Sequence, residues 1–200
     1  MTEHIPIVIL AGGSGARIGG NKPHRLLAGA SLLDQAMAKA ASYSSTVAVS
    51  VGGGEISSVG NIPQLLDDEH IQGPIAGLAA ALNFASSIDA AHVMMMPCDT
   101  PFLPDDLCQR LADSIGTYGV AVAQYGGRLH PACSLWRADA AAFLPGYLAQ
   151  GRRSLTGFAE TTGLVAVDWP EEQVDPFLNI NTPEDLTRAE RIFARRQKKN

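Results

Sequence analysis

Cysteine is scarce in this chain. Cys98, Cys108 and Cys133 are the only three in 200 residues, an odd number with no C-x-x-C pair. That spacing offers no disulfide framework, and reduced thiols in a cytoplasmic protein are the natural reading. Positive charge is also short: 15 Lys and Arg stand against 20 Asp and Glu, for a net charge of −5. This argues against a nucleic-acid-binding surface. The one basic cluster, Arg191 to Lys199, reads as a solvated helix end and tail. No apolar run approaches the length of a membrane helix, and no signal-type apolar region leads the chain, so no membrane partner is expected. Internal repeats, low-complexity blocks and linkers are missing too. No Ser-His-Asp or Cys-His arrangement suggests a covalent nucleophile.

What is present describes a globular protein. Hydrophobic residues make up 46% and charged residues 18%, and the length suits one domain with a substantial core. That domain is expected over 1–196, with 197–200 as a basic tail. Strand-like apolar runs alternate with helix-like segments, which predicts an α/β domain of three layers. The expected strands are Ile5–Leu10, Thr46–Val51, Ile62–Leu66, Ala91–Met96, Gly119–Ala123, Ala132–Trp136 and Leu164–Asp168. The expected helices start at Ser31, Pro74, Pro104, Arg137, Ser154 and Thr182. Thr182-Pro183-Glu184-Asp185 is a capping sequence: Thr182 as N-cap, Pro183 as the first helical residue and Asp185 as the acid three residues on.

The richest stretch is Leu10-Ala11-Gly12-Gly13-Ser14-Gly15-Ala16-Arg17-Ile18-Gly19-Gly20-Asn21-Lys22. A buried strand leads into five glycines within nine residues. Glycine lets backbone N–H groups approach a ligand without obstruction by a Cβ. Arg17 and Lys22 add fixed positive charge. Glycines alone would suit an ordinary surface turn; the cations and the place after the first strand favour a triphosphate. Two common phosphate motifs do not fit. Gly15 and Gly20 have Walker A spacing, but Asn21 follows Gly20 and Pro23 stands where a hydroxyl would bind Mg²⁺. Gly13-x-Gly15 puts Ile18 where a dinucleotide fingerprint needs its third glycine.

Pro97-Cys98-Asp99-Thr100-Pro101 follows the apolar run Ala91–Met96. That run lacks polar alternation, as buried parallel strands do. Asp99 therefore falls at a strand's carboxyl end, where open α/β sheets place their ligands. A carboxylate there, held between two prolines and facing a phosphate loop, is placed to bind Mg²⁺.

These strings resemble the molybdenum cofactor guanylyltransferases, a family of nucleotidyltransferases. The resemblance runs in order through L-A-G-G-S-G-A-R-I-G-G-N-K, Gly73-Pro74-Ile75-Ala76-Gly77, P-C-D-T-P, His130-Pro131 and Asn179-Ile180-Asn181-Thr182-Pro183-Glu184-Asp185-Leu186. It covers nearly the whole chain. It implies a Rossmann-like nucleotidyltransferase fold with a mostly parallel sheet. It also implies a reaction, the joining of GMP from GTP to the terminal phosphate of molybdopterin with release of pyrophosphate. Mg²⁺ is the implied cofactor. GTP and molybdopterin are the implied partners, with transient contacts to other cofactor-assembly proteins and acceptor apoenzymes. A cytidylyltransferase of the same cofactor or a sugar-nucleotide transferase would share the first loop. A nucleotide-binding regulator without catalysis would not need Lys22 and Asp99.

Carried onto this sequence, the resemblance makes Arg17, Lys22 and Asp99 catalytic, with Asp99 on the metal. Leu10, Ala11, Gly12, Gly13 and Lys22 would hold the nucleotide, with Ser50 where the family has asparagine. Pro74 and Gly77 would let backbone approach base or ribose. An acid just upstream touches the nucleotide: Asp68 is the first choice, with Asp67 beside it. His130 and Arg152 would lie toward the second substrate; a lone His in a hairpin-like loop is more often structural, and a solvated basic turn explains Arg152 equally well. Asn179 and Asn181 would close the site, Asn181 in an orienting role. The sequence departs from the family at Asn21, where an acid is expected, and at Pro23-His24-Arg25, which carries two extra residues.

Overall fold

The computed structural model describes residues 4–12, 22–52, 59–171 and 174–197, with only the backbone of 22 and 197. Strand β1 (Ile7–Leu10) is fully apolar and nearly all buried. It begins at Ile7 rather than Ile5, because Pro6 has no N–H to donate to a ladder. A short hairpin, β2 (Leu26–Leu27) and β3 (Ala30–Ser31), precedes α1 (Leu32–Tyr43). Ser31 caps α1, its Oγ accepting from Asp34 N at 3.0 Å. β4 (Val47–Val51) and β5 (Gln64–Leu66) follow, then α2 (Pro74–Ser87).

Helix α2 is apolar nearly all round because it lies flat on the sheet. Its buried residues include Ile75, Leu78 and Leu82, and each such side chain contributes about 1.5–3 kcal/mol on burial. Next come β6 (His92–Pro97) and α3 (Leu107–Ile115). α3 starts later than Pro104, and the side chain at its N-cap is diverted. Asp106 Oδ1 accepts from Trp169 Nε1 at 3.2 Å instead of from α3's own amides.

β7 (Val120–Tyr125) and β8 (Arg128–Arg137) form a hairpin. Its turn is Gly126-Gly127, with φ of +55° and +74°. Both turn positions thus need the left-handed region that glycine supplies. β8 is longer than the expected Ala132–Trp136. Arg128–Pro131 belongs to the strand, not to a loop. The register breaks where Ala123 faces His130 but Val122 faces Ser134. Pro131, which cannot donate to a ladder, sits in that irregularity.

The expected helix from Arg137 is broken in two. Ala138–Phe143 is a 3-10 turn, and α4 (Leu144–Ala149) restarts with Pro145 in its first turn. α5 (Leu155–Thr162), β9 (Leu164–Trp169) and α6 (Pro183–Gln197) complete the chain.

The seven-stranded sheet has the order β5-β4-β1-β6-β8-β7-β9. All strands run the same way except β8, which is antiparallel to both neighbours. The fold is thus the expected three-layer α/β arrangement. α1 and α3 cover one face, with Ile9, Met96, Leu111 and Leu135 among its core residues. α2, α4 and α5 cover the other, around Val8, Met95, Trp136 and Phe158. A smaller cluster joins the β2–β3 hairpin to α6 through Leu27, Leu32, Phe102, Ile180, Ala189 and Ile192.

Candidate active site

The strands' carboxyl ends converge on one edge. β1 is stitched there to both neighbours: Ala11 N donates to Ser50 O at 2.9 Å and Cys98 N donates to Leu10 O at 3.1 Å. Leu10, Ala11 and Gly12 are thereby fixed between Ser50 and the Cys98-Asp99 turn. A Cβ on Gly12 would come within 3.1 Å of Asp67 Oδ2 and 3.2 Å of Gly52 N. Glycine is required here by close approach. Ser50, 1% exposed, donates its hydroxyl to Asp67 Oδ1 at 2.6 Å.

α2 begins at the same edge. Gly73 takes φ +81° and Pro74 opens the helix. One turn on, a Cβ at Gly77 would lie 2.6 Å from Leu10 Cδ2 and 3.0 Å from Ser50 Oγ. Gly77 lets the helix start rest on the ends of β1 and β4. Leu10, Gly12, Ser50, Asp67 and Gly77 thus form one close-packed group.

Asp67 and Asp68 separate clearly. Asp67 N donates to Val51 O, continuing the ladder, and its carboxylate reaches Ser50 and Gly12. Asp68 is exposed, and its Oδ1 accepts from His70 N at 2.8 Å within its own turn. The first choice from sequence was Asp68; the geometry places Asp67 against the loop instead.

Asp99 follows β6 and is 8% exposed. Its carbonyl accepts from Ile180 N at 2.9 Å. Thr100, 3% exposed, donates its hydroxyl to Asn179 Oδ1 at 2.6 Å. The Asn179–Asn181 segment is therefore pinned along the Asp99-Thr100 turn. Asn181 N and Thr182 N both donate to Asp185 Oδ2 at 2.9 Å, and Asp185 N donates to Thr182 Oγ1 at 3.1 Å. The expected capping box is formed. Burial pushes the Asp185 carboxyl up, but these hydrogen bonds outweigh it and hold its pKa below the usual range. Cys133 lies beneath the edge; burial, aided by the Asp99 and Asp175 carboxylates, drives its thiol pKa far up and keeps it protonated.

His130 reaches this edge because β8 runs backwards. Its ring stacks on Phe177 with centroids 4.7 Å apart. Burial pulls its pKa down, the Asp175 carboxylate opposes that, and Arg128 adds to it. Arg152 stands apart, at the α4–α5 junction. Its guanidinium lies 4.3 Å over the Tyr147 ring, and its Nη2 donates to Gly157 O at 3.2 Å. Of the remaining expected site residues, Gly13 and Arg17 lie outside the described residues. So does the side chain of Lys22, whose backbone forms a 3-10 turn over Lys22–His24.

The structure thus unites Leu10, Ala11, Gly12, Ser50, Gly77, Asp99, Asn179 and Asn181 along one edge, with Pro74 opening α2 beside them. Asp67, the second choice from sequence, lies with them; Thr100 and Phe177 are additions to which the sequence assigned no role of their own. Asp67 and Asp68 carry the same local signal. Thr100 and Phe177 gain their roles only from distant partners.

A family model for the MobA-like NTP transferase domain matches residues 7–163. The chain is 40% identical to the molybdenum cofactor guanylyltransferase of Cereibacter sphaeroides over 187 residues, covering 93% of this chain and 95% of that one. It is 38% identical to the protein of that name from Rhodopseudomonas palustris strain BisB5, covering 98% of each. The solved molybdopterin-guanine dinucleotide biosynthesis protein A of Archaeoglobus fulgidus superposes with a TM-score of 0.81. At 24% identity, over 96% of this chain and 100% of that one, it supports the fold alone.

Proposed function

This chain belongs to the MobA-like NTP transferase family, and from that premise we propose that it transfers GMP from GTP to the terminal phosphate of molybdopterin, releasing pyrophosphate. The observation that carries the reading is Asp99. It is a buried carboxylate at the carboxyl end of β6, flanked by the Leu10–Gly12 segment and by Asn179–Asn181. An orienting shell of that kind suits phosphoryl chemistry better than simple binding.

An oxygen of the acceptor phosphate attacks the α-phosphorus of GTP in line. The new P–O bond forms as the bond to the β-phosphate oxygen breaks, and pyrophosphate carries away the electron pair. The attacking phosphate is already anionic and needs no strong base. The barrier comes from assembling anions, and position and electrostatics must lower it. In this reading the amides from Gly12 onward cradle phosphate, Ala11 N being committed to Ser50 O, and Arg17 and Lys22 neutralise its charge. Asp67 takes the nucleotide-contacting role first assigned to Asp68, and Ser50 sets its rotamer. Pro74 and Gly77 let α2 approach the base or ribose. Asn179 and Asn181 orient the closing segment, and His130 faces the acceptor. Arg152 joins the acceptor side only if it gives up its contacts to Tyr147 and Gly157.

Among the described residues, no three His, Cys, Asp or Glu side chains cluster into a metal cage. One or two carboxylates suffice for a Mg²⁺ that keeps waters and phosphate oxygens as its other ligands. Asp99 would hold that ion, and the ion's contribution there is to neutralise phosphate charge. No described helix is long and apolar enough to cross a membrane. The protein is proposed to hand its product to cofactor-assembly proteins and acceptor apoenzymes in the cytoplasm.

The test is a nucleotide exchange. Pyrophosphate release is measured with molybdopterin and GTP, then with CTP in its place. A site built to hydrogen-bond guanine loses those bonds with the wrong base, so discrimination of several kcal/mol is expected. Equal release from both nucleotides would overturn the guanylyl reading.

A further inference from the structure

Arg25 is the residue that the function above leaves unused. It lies just after the Lys22–His24 turn, at the entrance to the β2–β3 hairpin. Its backbone is fixed: Arg25 O accepts from Leu32 N at 2.9 Å, which extends the β2–β3 hairpin by one pair. Side chains alternate along a strand, so Arg25 leaves the hairpin on the same side as Leu27. Leu27 is fully buried in the cluster with Phe102 and Ile180. Phe102 is three residues beyond Asp99, and Ile180 N is bonded to Asp99 O. The hairpin thus directs Arg25 toward the segments that frame Asp99.

The Nε of Arg25 is buried and has no hydrogen-bond partner among the described residues. No described carboxylate forms an ion pair with its guanidinium. A guanidinium always carries its charge, and its two Nη groups make a planar fork that matches two oxygens of a phosphate. Arg25 is half-buried, and a partly desolvated cation without a counter-charge is costly; an oxyanion at its Nη end offsets that cost.

We propose that Arg25 is an oxyanion-binding residue of the active site, taking phosphate oxygens of either the nucleotide or the acceptor. This rests on the transferase reading above and adds a cation to Arg17 and Lys22. The backbone bond to Leu32 does not involve the side chain, so substitution should leave the hairpin in place.

The experiment uses the full chain as wild type, Arg25→Gln and Arg25→Lys. Calorimetry with Mg²⁺ gives Kd for GTP, and pyrophosphate release gives KM for molybdopterin. Arg25→Gln is expected to weaken one of the two by about tenfold or more, the scale of a lost charge-assisted hydrogen bond. A rise in Kd for GTP assigns the triphosphate; a rise in KM for molybdopterin alone assigns the acceptor. Arg25→Lys should recover only part, since an ammonium lacks the fork. Wild-type values for both ligands in Arg25→Gln would overturn the proposal. So would wild-type values in Arg25→Lys if Arg25→Gln fails to fold. A wild type that takes CTP as well as GTP would sink the guanylyl reading, yet loss of CTP affinity in Arg25→Gln would still uphold Arg25.

Discussion

The hydroxyl of Thr100 donates to the side-chain oxygen of Asn179 at 2.6 Å, across 79 residues of sequence. This bond ties the turn that carries Asp99 to the segment that precedes α6. Under the proposed function Thr100 is accordingly a positioning residue. Thr100→Val keeps the shape and removes the donor. It is expected to lower kcat about tenfold, to leave KM for GTP near wild type, and to cost about 1 kcal/mol of stability. Thr100→Ser should restore kcat. A Thr100→Val enzyme with wild-type kcat would show that the tie matters only to folding.

Asp99→Asn tests the centre of the site. It removes the charge while keeping the side chain's outline. Mg²⁺-dependent transfer is expected to be lost with the melting temperature nearly unchanged. Activity titrated against Mg²⁺ and a thermal melt check both halves. An unfolded variant would mean that the carboxylate holds the turn, and a fully active one would remove Asp99 from the mechanism.

Gly77→Ala places a methyl against Leu10 Cδ2 and Ser50 Oγ. The Leu10 methyl can move, but Ser50 is held by its bond to Asp67. Overpacking costs about 1–3 kcal/mol, partly offset by about 1 kcal/mol of helix propensity. Urea unfolding should show a small net loss, while KM for GTP should rise as Asp67 shifts. A variant with wild-type KM would separate the helix start from the nucleotide.

His130 predicts a pH dependence. Burial lowers its pKa from the ordinary 6.5, so below that value the unfolded chain binds a proton that the folded chain resists. Stability from this group is full above pH 6.5 and falls as the pH drops toward the lowered folded value. His130→Phe keeps a ring on Phe177 without the titration. Urea midpoints at pH 7.5 and at pH 5.5 should differ less in the variant than in wild type; an equal difference would clear His130.

Much of this architecture was legible because its signals are local. Helix α2 runs over Pro74–Ser87, as read from Gly73-Pro74 and the apolar run. Ser31, Ser154 and Thr182 cap the helices that follow them. What escaped depends on distant partners. β8 extends to Arg128 because β7 pairs with it residue by residue, which alternation in one strand cannot reveal. Pro145 breaks the helix expected over Arg137–Leu148 because it lacks an N–H, and the apolar spacing hides that break. That Asp67 rather than Asp68 lies against Gly12 and Ser50 follows from its ladder bond to Val51, a matter of register.

The two-residue turn Gly126-Gly127 also has a bearing on how the molecule is assembled. The β7–β8 hairpin closes a minimal loop, whereas β1 must meet β6 across residues 7 and 94. Chain-closure entropy is smaller for the first pairing and larger for the second. The hairpin is therefore expected to supply an early edge onto which β6 is laid antiparallel, through Met94 opposite Leu135, with β1 arriving after it. On that order the turn bearing Asp99 takes shape from the β8 side of the sheet toward the β1 side. Pulsed hydrogen exchange during refolding should protect the amides of β7 and β8 before those of β1; simultaneous protection would mean that the sheet closes in one step.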